Sequence, residues 1–342
     1  MKAMLFFGPK DLRLEDIEIP TINTNEVLVK IVTALTGGTD QKTYLRGHPR
    51  IIKKLPSSFG YEFAGIVAES LNPLFKPGDR VVAGNTAPCY KCFFCKKEEF
   101  ELCQNLDFLN GSFAEYIKIP EQIAEHNLHQ IPMGTSFQEA ACTQTIAVAL
   151  HGYYKSLIKK PSNLVILGLG AIGQSFIKIF KALAPDVKII AIGKSNLKTK
   201  LARENGADYI LDYSSNDLAS QVKSLTDNYG ADLVIEAVGQ PSAWEQALEL
   251  VRPGGIVNFF GGCAPGTTIK LDTFQAHYQE ITTIGVFHHS PIFIKQALDL
   301  INTKKISVEN LITHSFELKD LKEALEIGIR GESLKICIKP QA

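Results

Sequence analysis

Asn163-Leu-Val-Ile-Leu-Gly-Leu-Gly-Ala-Ile-Gly173 is the stretch on which the fold turns. Its first five residues form a short apolar run entering a glycine-rich turn, which reads as a strand buried on both faces. Beyond the turn, Ile172, Phe176, Ile179, Phe180 and Leu183 recur at helical spacing. Strand, glycine turn and helix, in that order, open a doubly wound parallel sheet. The alternation continues downstream, with strands predicted at 188–192, 209–211, 232–236 and 255–260 and a helix around 246–251 between the last two. A further helix is predicted at 291–302, a strand at 311–316, a helix near 318–327 and a last strand at 334–338.

The G-x-G-x-x-G spacing gives the turn a chemical meaning, because a strand precedes it and an amphipathic helix follows. Gly168 makes the tight turn, Gly170 lets the backbone approach a pyrophosphate, and Gly173 lets helix pack closely on strand. Ala171 and Ile172 open the helix whose N-terminus faces the phosphates. A dinucleotide is therefore expected, and its identity should be written at the end of the next strand. There the chain reads Gly193-Lys194-Ser195-Asn196, without a carboxylate. A carboxylate would bind ribose hydroxyls and repel a 2′-phosphate, whereas lysine, serine and the open backbone of Gly193 would receive one. NADP is the expected cofactor, with NAD possible.

Upstream, Cys89, Cys92, Cys95 and Cys103 form a C-x2-C-x2-C-x7-C pattern. Four thiolates at such spacing can close a tetrahedron around Zn²⁺ and leave no position for substrate, so one structural zinc is expected in a lobe at about 85–107.

The chain is 342 residues long, more than one core comfortably fills. Strand signals dominate up to about residue 135: 26–32 alternates, and 63–68, 79–83 and 113–119 are short apolar runs bounded by turn formers. An all-β, partly barrel-like first unit is expected over 1–140, followed by a dinucleotide-binding domain over 141–282 and a C-terminal segment over 283–342. Lys plus Arg and Asp plus Glu are balanced at 36 each, so no global field draws the chain to nucleic acid or a membrane, and a small-molecule substrate is the expected partner. The N-terminus lacks the features of a secretory signal, and no run reaches a membrane-spanning length. Of seven cysteines, four cluster as metal ligands and Cys142, Cys263 and Cys337 are scattered, a usage that fits a reducing, cytoplasmic setting.

The order of β-rich unit, cysteine knot, dinucleotide domain and C-terminal return resembles the medium-chain dehydrogenase/reductase superfamily, in particular its zinc-containing alcohol and polyol dehydrogenases. Further matching motifs are Gly38-Thr39-Asp40, Gly60-Tyr-Glu-Phe-Ala-Gly65, Pro77-Gly-Asp-Arg-Val81, Ala147-Val-Ala-Leu-His151 and Glu236-Ala-Val-Gly239. The resemblance implies an α/β architecture of a GroES-like β-barrel, completed by the C-terminal segment, and a Rossmann domain. It also implies nucleotide contacts at Val238 and Gly239 and assembly as a homodimer or homotetramer.

Carried over residue by residue, the family's catalytic zinc ligands fall on Gly37, on Tyr61 and on Gln144 or nearby, and only Glu62 survives as a usual ligand type. No catalytic zinc is expected, because glycine offers no donor and neutral phenol and amide are poor ligands. A site rebuilt from Asp40, Glu62, His48, Cys142 or His151 is the opposing reading. Thr39 occupies the family's proton-relay hydroxyl position and Tyr61 that of a zinc-binding imidazole, so the two are candidate hydrogen-bond donors to a substrate oxygen; a tyrosine that merely fills the metal's space is the plainer alternative. Asp40 reads as a group that orients its neighbours, and His288-His289 and His277-Tyr278 as structural or surface pairs with proton donation as the lesser reading. The expected function is an NAD(P)(H)-dependent oxidoreductase reducing a small carbonyl or activated alkene without catalytic zinc. The alternatives are a zinc alcohol or polyol dehydrogenase with relocated ligands and a catalytically silent NADPH-binding sensor or assembly subunit.

Overall fold

The computed structural model describes residues 1–156 and 162–341. The chain forms two compact units, Met1–Ala147 with His289–Ala342, and Val148–His288. The boundaries lie six residues beyond or more from the predicted 140 and 282, because the helix Thr143–Lys155 carries the chain from one unit into the next. At the second boundary, the His288 carbonyl accepts from His151 Nδ1 of its own unit at 2.9 Å, while His289 Nε2 lies 2.9 Å from Asn85 Oδ1 of the other.

In the second unit, six strands form one parallel sheet in the spatial order Tyr209–Asp212, Lys188–Gly193, Asn163–Leu167, Ala231–Glu236, Val251–Phe259, Thr282–Gly285. Numbered along the chain this order is 3-2-1-4-5-6, the Rossmann arrangement with its reversal beside the first strand. Leu164, Val165, Ile166 and Leu167 are all fully buried, as a central parallel strand covered on both faces requires. The predicted helix at 246–251 is in fact Pro241–Leu250, with proline in the first turn where its missing N–H costs nothing. Val251 already belongs to the following strand.

The first unit is built on a large sheet in the order Leu128–Gln130, Arg80–Ala83, Glu62–Ser70, Val27–Leu35, Lys335–Lys339, Ile312–Glu317, with Tyr116–Ile119 also paired to Val27–Leu35. The C-terminal strand thus lies antiparallel beside Val27–Leu35, with Cys337 opposite Leu35, and Leu35 is opposite Glu62 on its other side. Phe6, Phe59 and Phe113 pack in sequence at the core, with ring centroids 5.9 and 5.7 Å apart. The unit is not all-β, as the sequence reading expected: Gly38–Arg46, Glu121–His126 and Phe137–Ala141 are helices. Gly38–Arg46 escaped notice because GTDQKTYLR carries almost no apolar periodicity; its start is held by Asp40, whose carboxylate accepts the Gly37 N–H at 2.7 Å. No helix among the described residues is long and apolar enough to cross a membrane.

Candidate active site and metal centre

The ligand atoms of Cys89, Cys92, Cys95 and Cys103 all lie within 4.8 Å of one another. Sulfur separations are 3.5 Å for Cys92–Cys95, 3.9 Å for Cys92–Cys103 and 4.0 Å for Cys89–Cys95. With Zn–S bonds of about 2.3 Å, a tetrahedron has S···S edges of about 3.8 Å, so the knot has the size zinc needs. All seven cysteines are free of disulfides. The amide of Lys91 draws the Cys89 thiol down to about 6, the direction that favours the ligating thiolate, and the Cys89 N–H donates to Cys103 Sγ at 3.3 Å.

The glycine turn has the shape its spacing implies. Gly168 takes φ +103°, and a Cβ on Gly173 would stand 2.0 Å from the Gly168 carbonyl oxygen. At Gly170 an added Cβ would meet nothing within 4 Å. That residue caps the helix Ala171–Leu183 without any side-chain capping bond, leaving the first-turn N–H groups of Ala171, Ile172 and Gly173 to face an anion. The neighbouring strand contributes Glu236, a buried carboxylate whose Oε1 accepts the N–H groups of Val238 and Gly239 at 2.7 and 2.8 Å. This fixes the 237–239 turn against Gly168, whose Cβ would lie 2.8 Å from Val238 Cγ2. The turn therefore fits a dinucleotide pyrophosphate. At the far end, Leu169 would stand 2.7 Å from a Cβ on Gly193, so that glycine is also demanded by packing. Lys194 Nζ lies 4.5 Å from the Tyr213 ring centroid, and Ser195 precedes the helix Asn196–Glu204 without a capping bond from its hydroxyl.

A third assembly surrounds Gly37 in the first unit. A Cβ there would lie 3.0 Å from Glu62 Oε1, 3.5 Å from Asp40 Oδ2 and 3.8 Å from Lys335 Nζ. Lys335 Nζ donates to Glu62 Oε2 at 2.5 Å and to the Thr36 carbonyl at 3.4 Å, and Thr145 Oγ1 donates to Glu62 Oε2 at 3.1 Å. Burial, reinforced by the Glu62 charge, pushes the Asp40 carboxyl up to about 7. Tyr61 is buried beside this cluster; desolvation and then the charges of Asp40 and Glu62 hold its phenol far above the usual range, while the Thr39 side chain partners it.

The comparisons with known proteins meet this geometry. Residues 23–132 match the family described as alcohol dehydrogenase GroES-like domain, and residues 171–303 the family described as zinc-binding dehydrogenase. The chain is 30% identical to a sorbitol dehydrogenase of Halalkalibacterium halodurans, over 99% of both proteins. The chain belongs to the zinc-type medium-chain dehydrogenase/reductase superfamily. A D-arabitol-phosphate dehydrogenase of Enterococcus avium is also 30% identical, over 97% of this chain and 95% of the relative. A protein from Sinorhizobium meliloti 1021, described as a zinc-binding dehydrogenase and solved bound to NADP, superposes with a TM-score of 0.90 at 26% identity, over 99% of both chains. Membership of this superfamily makes the chain an NAD(P)-dependent oxidoreductase of the alcohol dehydrogenase type and bears out the GroES-like and Rossmann architecture.

The residues onto which the resemblance carries the catalytic zinc ligands make a poor donor set for zinc. Gly37 has no donor, the Tyr61 phenol is held protonated, and Glu62 is engaged by Lys335 and Thr145. Burial pushes the nearby Cys142 thiol up to about 12. Among the described residues, the cysteine knot is the one group of three or more His, Cys, Asp and Glu whose ligand atoms converge, so Asp40, Glu62, His48, Cys142 and His151 do not assemble a second. His289 is 2% exposed and bonded to Asn85, and His277 and Tyr278 lie on the short helix Thr273–Tyr278, which buries none of its residues.

Sequence reasoning missed Lys335 and Thr145. Lys335 had a signal: it is a lone charge in the otherwise apolar 334–338 run, and a charge on a buried strand calls for a partner. Thr145 had none, since a threonine on a helix is unremarkable in sequence.

Proposed function

We propose that this chain is an NADP(H)-dependent reductase of a small carbonyl compound, an activated alkene being the other acceptor of the same class, working without catalytic zinc. One observation carries the reading: where the superfamily's imidazole would hold metal, a buried neutral phenol, Tyr61, is partnered by Thr39. A phenol held protonated is a hydrogen-bond and proton donor, which is what a developing alkoxide or enolate needs when no Lewis acid is at hand. The nicotinamide, when bound, would supply the hydride. Tyr61 Oη would give its proton to the substrate oxygen as negative charge develops there, and the phenolate would recover a proton relayed by the Thr39 hydroxyl. Gly168, Gly170 and Gly173, the first-turn N–H groups of Ala171 and Ile172, and the 238–239 turn would hold the dinucleotide, with Lys194 and Ser195 receiving a 2′-phosphate. The NADP-bound neighbour supports that preference. One zinc, on the four cysteines, would be structural.

Two relatives named for polyol or polyol-phosphate oxidation favour a second reading, a zinc-dependent polyol dehydrogenase. The donor set around Gly37 weighs against it, but the names direct attention to polyhydroxylated ketones as acceptors. A homodimer or homotetramer is proposed from the superfamily, supported by the exposed edge strand Thr282–Gly285. Free, clustered or buried cysteines support a reducing, cytoplasmic setting.

The test is NADPH and NADH oxidation with small ketones, hydroxyketones, aldehydes and enones, and the reverse reaction with polyols, by the parent and Tyr61→Phe, alongside zinc per chain. Zinc near one per chain, and a loss of about 10²-fold or more in kcat on removing the phenolic proton, are expected. Unchanged turnover in Tyr61→Phe overturns the donor role; two zincs per chain restore the polyol dehydrogenase. NADPH binding with no turnover on any compound leaves a sensor or assembly subunit.

A further inference from the structure

We propose that Trp244 is a positioning residue for the nicotinamide end of the bound cofactor, its indole N–H holding the Gly261 carbonyl and so fixing the 261–262 turn beside the 238–239 turn. The inference rests on the placement of the dinucleotide given above and deepens it by naming what holds the second half of that site.

With the pyrophosphate at the turn after the first Rossmann strand and the 2′-phosphate beyond the second, the strand order 3-2-1-4-5-6 sends the other nucleotide over the carboxyl ends of the fourth and fifth strands, Ala231–Glu236 and Val251–Phe259. Those two ends are tied together. The Glu236 carbonyl accepts from Phe260 N at 3.1 Å and from Gly261 N at 2.8 Å, while its carboxylate carries the 238–239 turn. The turns approach closely enough to demand glycine on both: a Cβ on Gly239, at φ +78°, would stand 2.7 Å from the Gly262 carbonyl oxygen, and one on Gly261 would stand 2.6 Å from Glu236 Oε2. Trp244 closes the assembly. It lies on the helix Pro241–Leu250 that leaves the 238–239 turn, stacks on Phe259 with ring centroids 4.0 Å apart and planes 6° from parallel, and donates from Nε1 to the Gly261 carbonyl at 2.9 Å. The stack sets the direction of the indole N–H, and a half-buried indole spends that donor on a partner. Gly262 is exposed, and a Cβ there would meet nothing within 4 Å, as at Gly170. Neither a left-handed backbone nor crowding calls for glycine at 262, which leaves bare backbone open to close approach by a ligand. A turn already fixed costs little to order when the cofactor arrives, whereas a loose one takes that cost out of the affinity.

A residue that positions one end of the cofactor is distinguishable from one that only holds the fold. The experiment is calorimetric titration with whichever oxidised cofactor the parent binds more tightly, NADP or NAD, and with the matching 2′-phospho-ADP-ribose or ADP-ribose, which lacks only the nicotinamide. The proteins are the parent, Trp244→Phe, Phe259→Leu and Gly170→Val, with a thermal melt of each. Trp244→Phe keeps a ring on Phe259 and removes the donor, so the cofactor binds about three- to tenfold more weakly, the worth of one hydrogen bond, while the fragment binds as it does to the parent. An equal loss for both ligands, or a loss for neither, overturns the proposal and leaves Trp244 a packing residue. Should Trp244→Phe fail to fold, Phe259→Leu, which frees the indole from its stack and keeps the donor, decides by the same split between cofactor and fragment. Gly170→Val tests the underlying placement separately, because a side chain at the pyrophosphate turn weakens both ligands. If it weakens neither, the dinucleotide lies elsewhere, and the proposal falls with that placement whatever Trp244→Phe does.

Discussion

Lys335 Nζ stands 2.5 Å from Glu62 Oε2, across 273 residues of chain, in a pair of which neither side chain is more than 4% exposed. The contact joins the last strand of the first unit to the end of the strand that follows Tyr61, and so ties the C-terminal segment to the centre of the candidate site. Removing one partner strands a buried charge, which costs about 3–5 kcal/mol, whereas removing both is close to neutral. Urea unfolding should therefore find Glu62→Gln and Lys335→Met each destabilised by at least a few kcal/mol, and the double variant Glu62→Gln/Lys335→Met closer to the parent than either. Additive losses in the double variant would mean that the two charges do not depend on each other.

Asp40 gives the protein a pH dependence of unusual sign. Its carboxyl is raised from the ordinary 3.8 to about 7, first by burial and then by the Glu62 charge. Between those values the folded state holds a proton that the unfolded chain has released, so Asp40 contributes stability that is full below the unfolded value and is lost as pH rises through the folded one. The slope approaches about −1.4 kcal/mol per pH unit at its steepest. Asp40→Asn keeps an acceptor for the Gly37 N–H, bonded at 2.7 Å in the parent, and removes the titration. Unfolding free energies measured from pH 4 to 8 should fall in the parent relative to Asp40→Asn; parallel curves would show that Asp40 titrates normally.

The cysteine knot makes a prediction about mass balance. Metal analysis of protein prepared without added zinc should find about one zinc per chain, and Cys89→Ser should lose it together with thermal stability, since a structural zinc contributes folding energy directly. Chelation of the parent should lower the melting temperature in step with zinc removed. A variant that keeps one zinc after Cys89→Ser would place a metal elsewhere in the chain.

The Rossmann half was legible almost residue by residue. Asn163–Leu167 falls where the pattern put it, because buried parallel strands write their period plainly, and in the other unit the amphipathic helix Pro291–Asn302 does the same. The helix Gly38–Arg46 was not legible: it is polar, and its start depends on one carboxylate meeting one backbone N–H. The cysteine knot and glycine turn could be read because their ligands and turns are local in sequence. The cluster of Gly37, Asp40, Glu62, Thr145 and Lys335 could not, because it gathers residues from four places in the chain, and the partner of a buried charge is fixed by strand order rather than by spacing.

Cofactor choice supplies the last prediction. The strand Lys188–Gly193 ends on a glycine that packing with Leu169 also requires, so the missing carboxylate is not by itself a signature of NADP. What distinguishes the two cofactors is whether Lys194 and Ser195 meet a phosphate. Lys194 is exposed, with its ammonium 4.5 Å from the Tyr213 ring centroid, a weak surface contact that it can exchange for a 2′-phosphate. A charge-assisted hydrogen bond to phosphate is worth about 1.5–3 kcal/mol, so Lys194→Ala should weaken NADPH binding about ten- to hundredfold and leave NADH binding unchanged. Fluorescence titration of both cofactors reads this directly. An equal loss for both would assign Lys194 to the fold of the loop, and no loss for either would move the 2′-phosphate site away from residues 193–195 and return NAD as the cofactor.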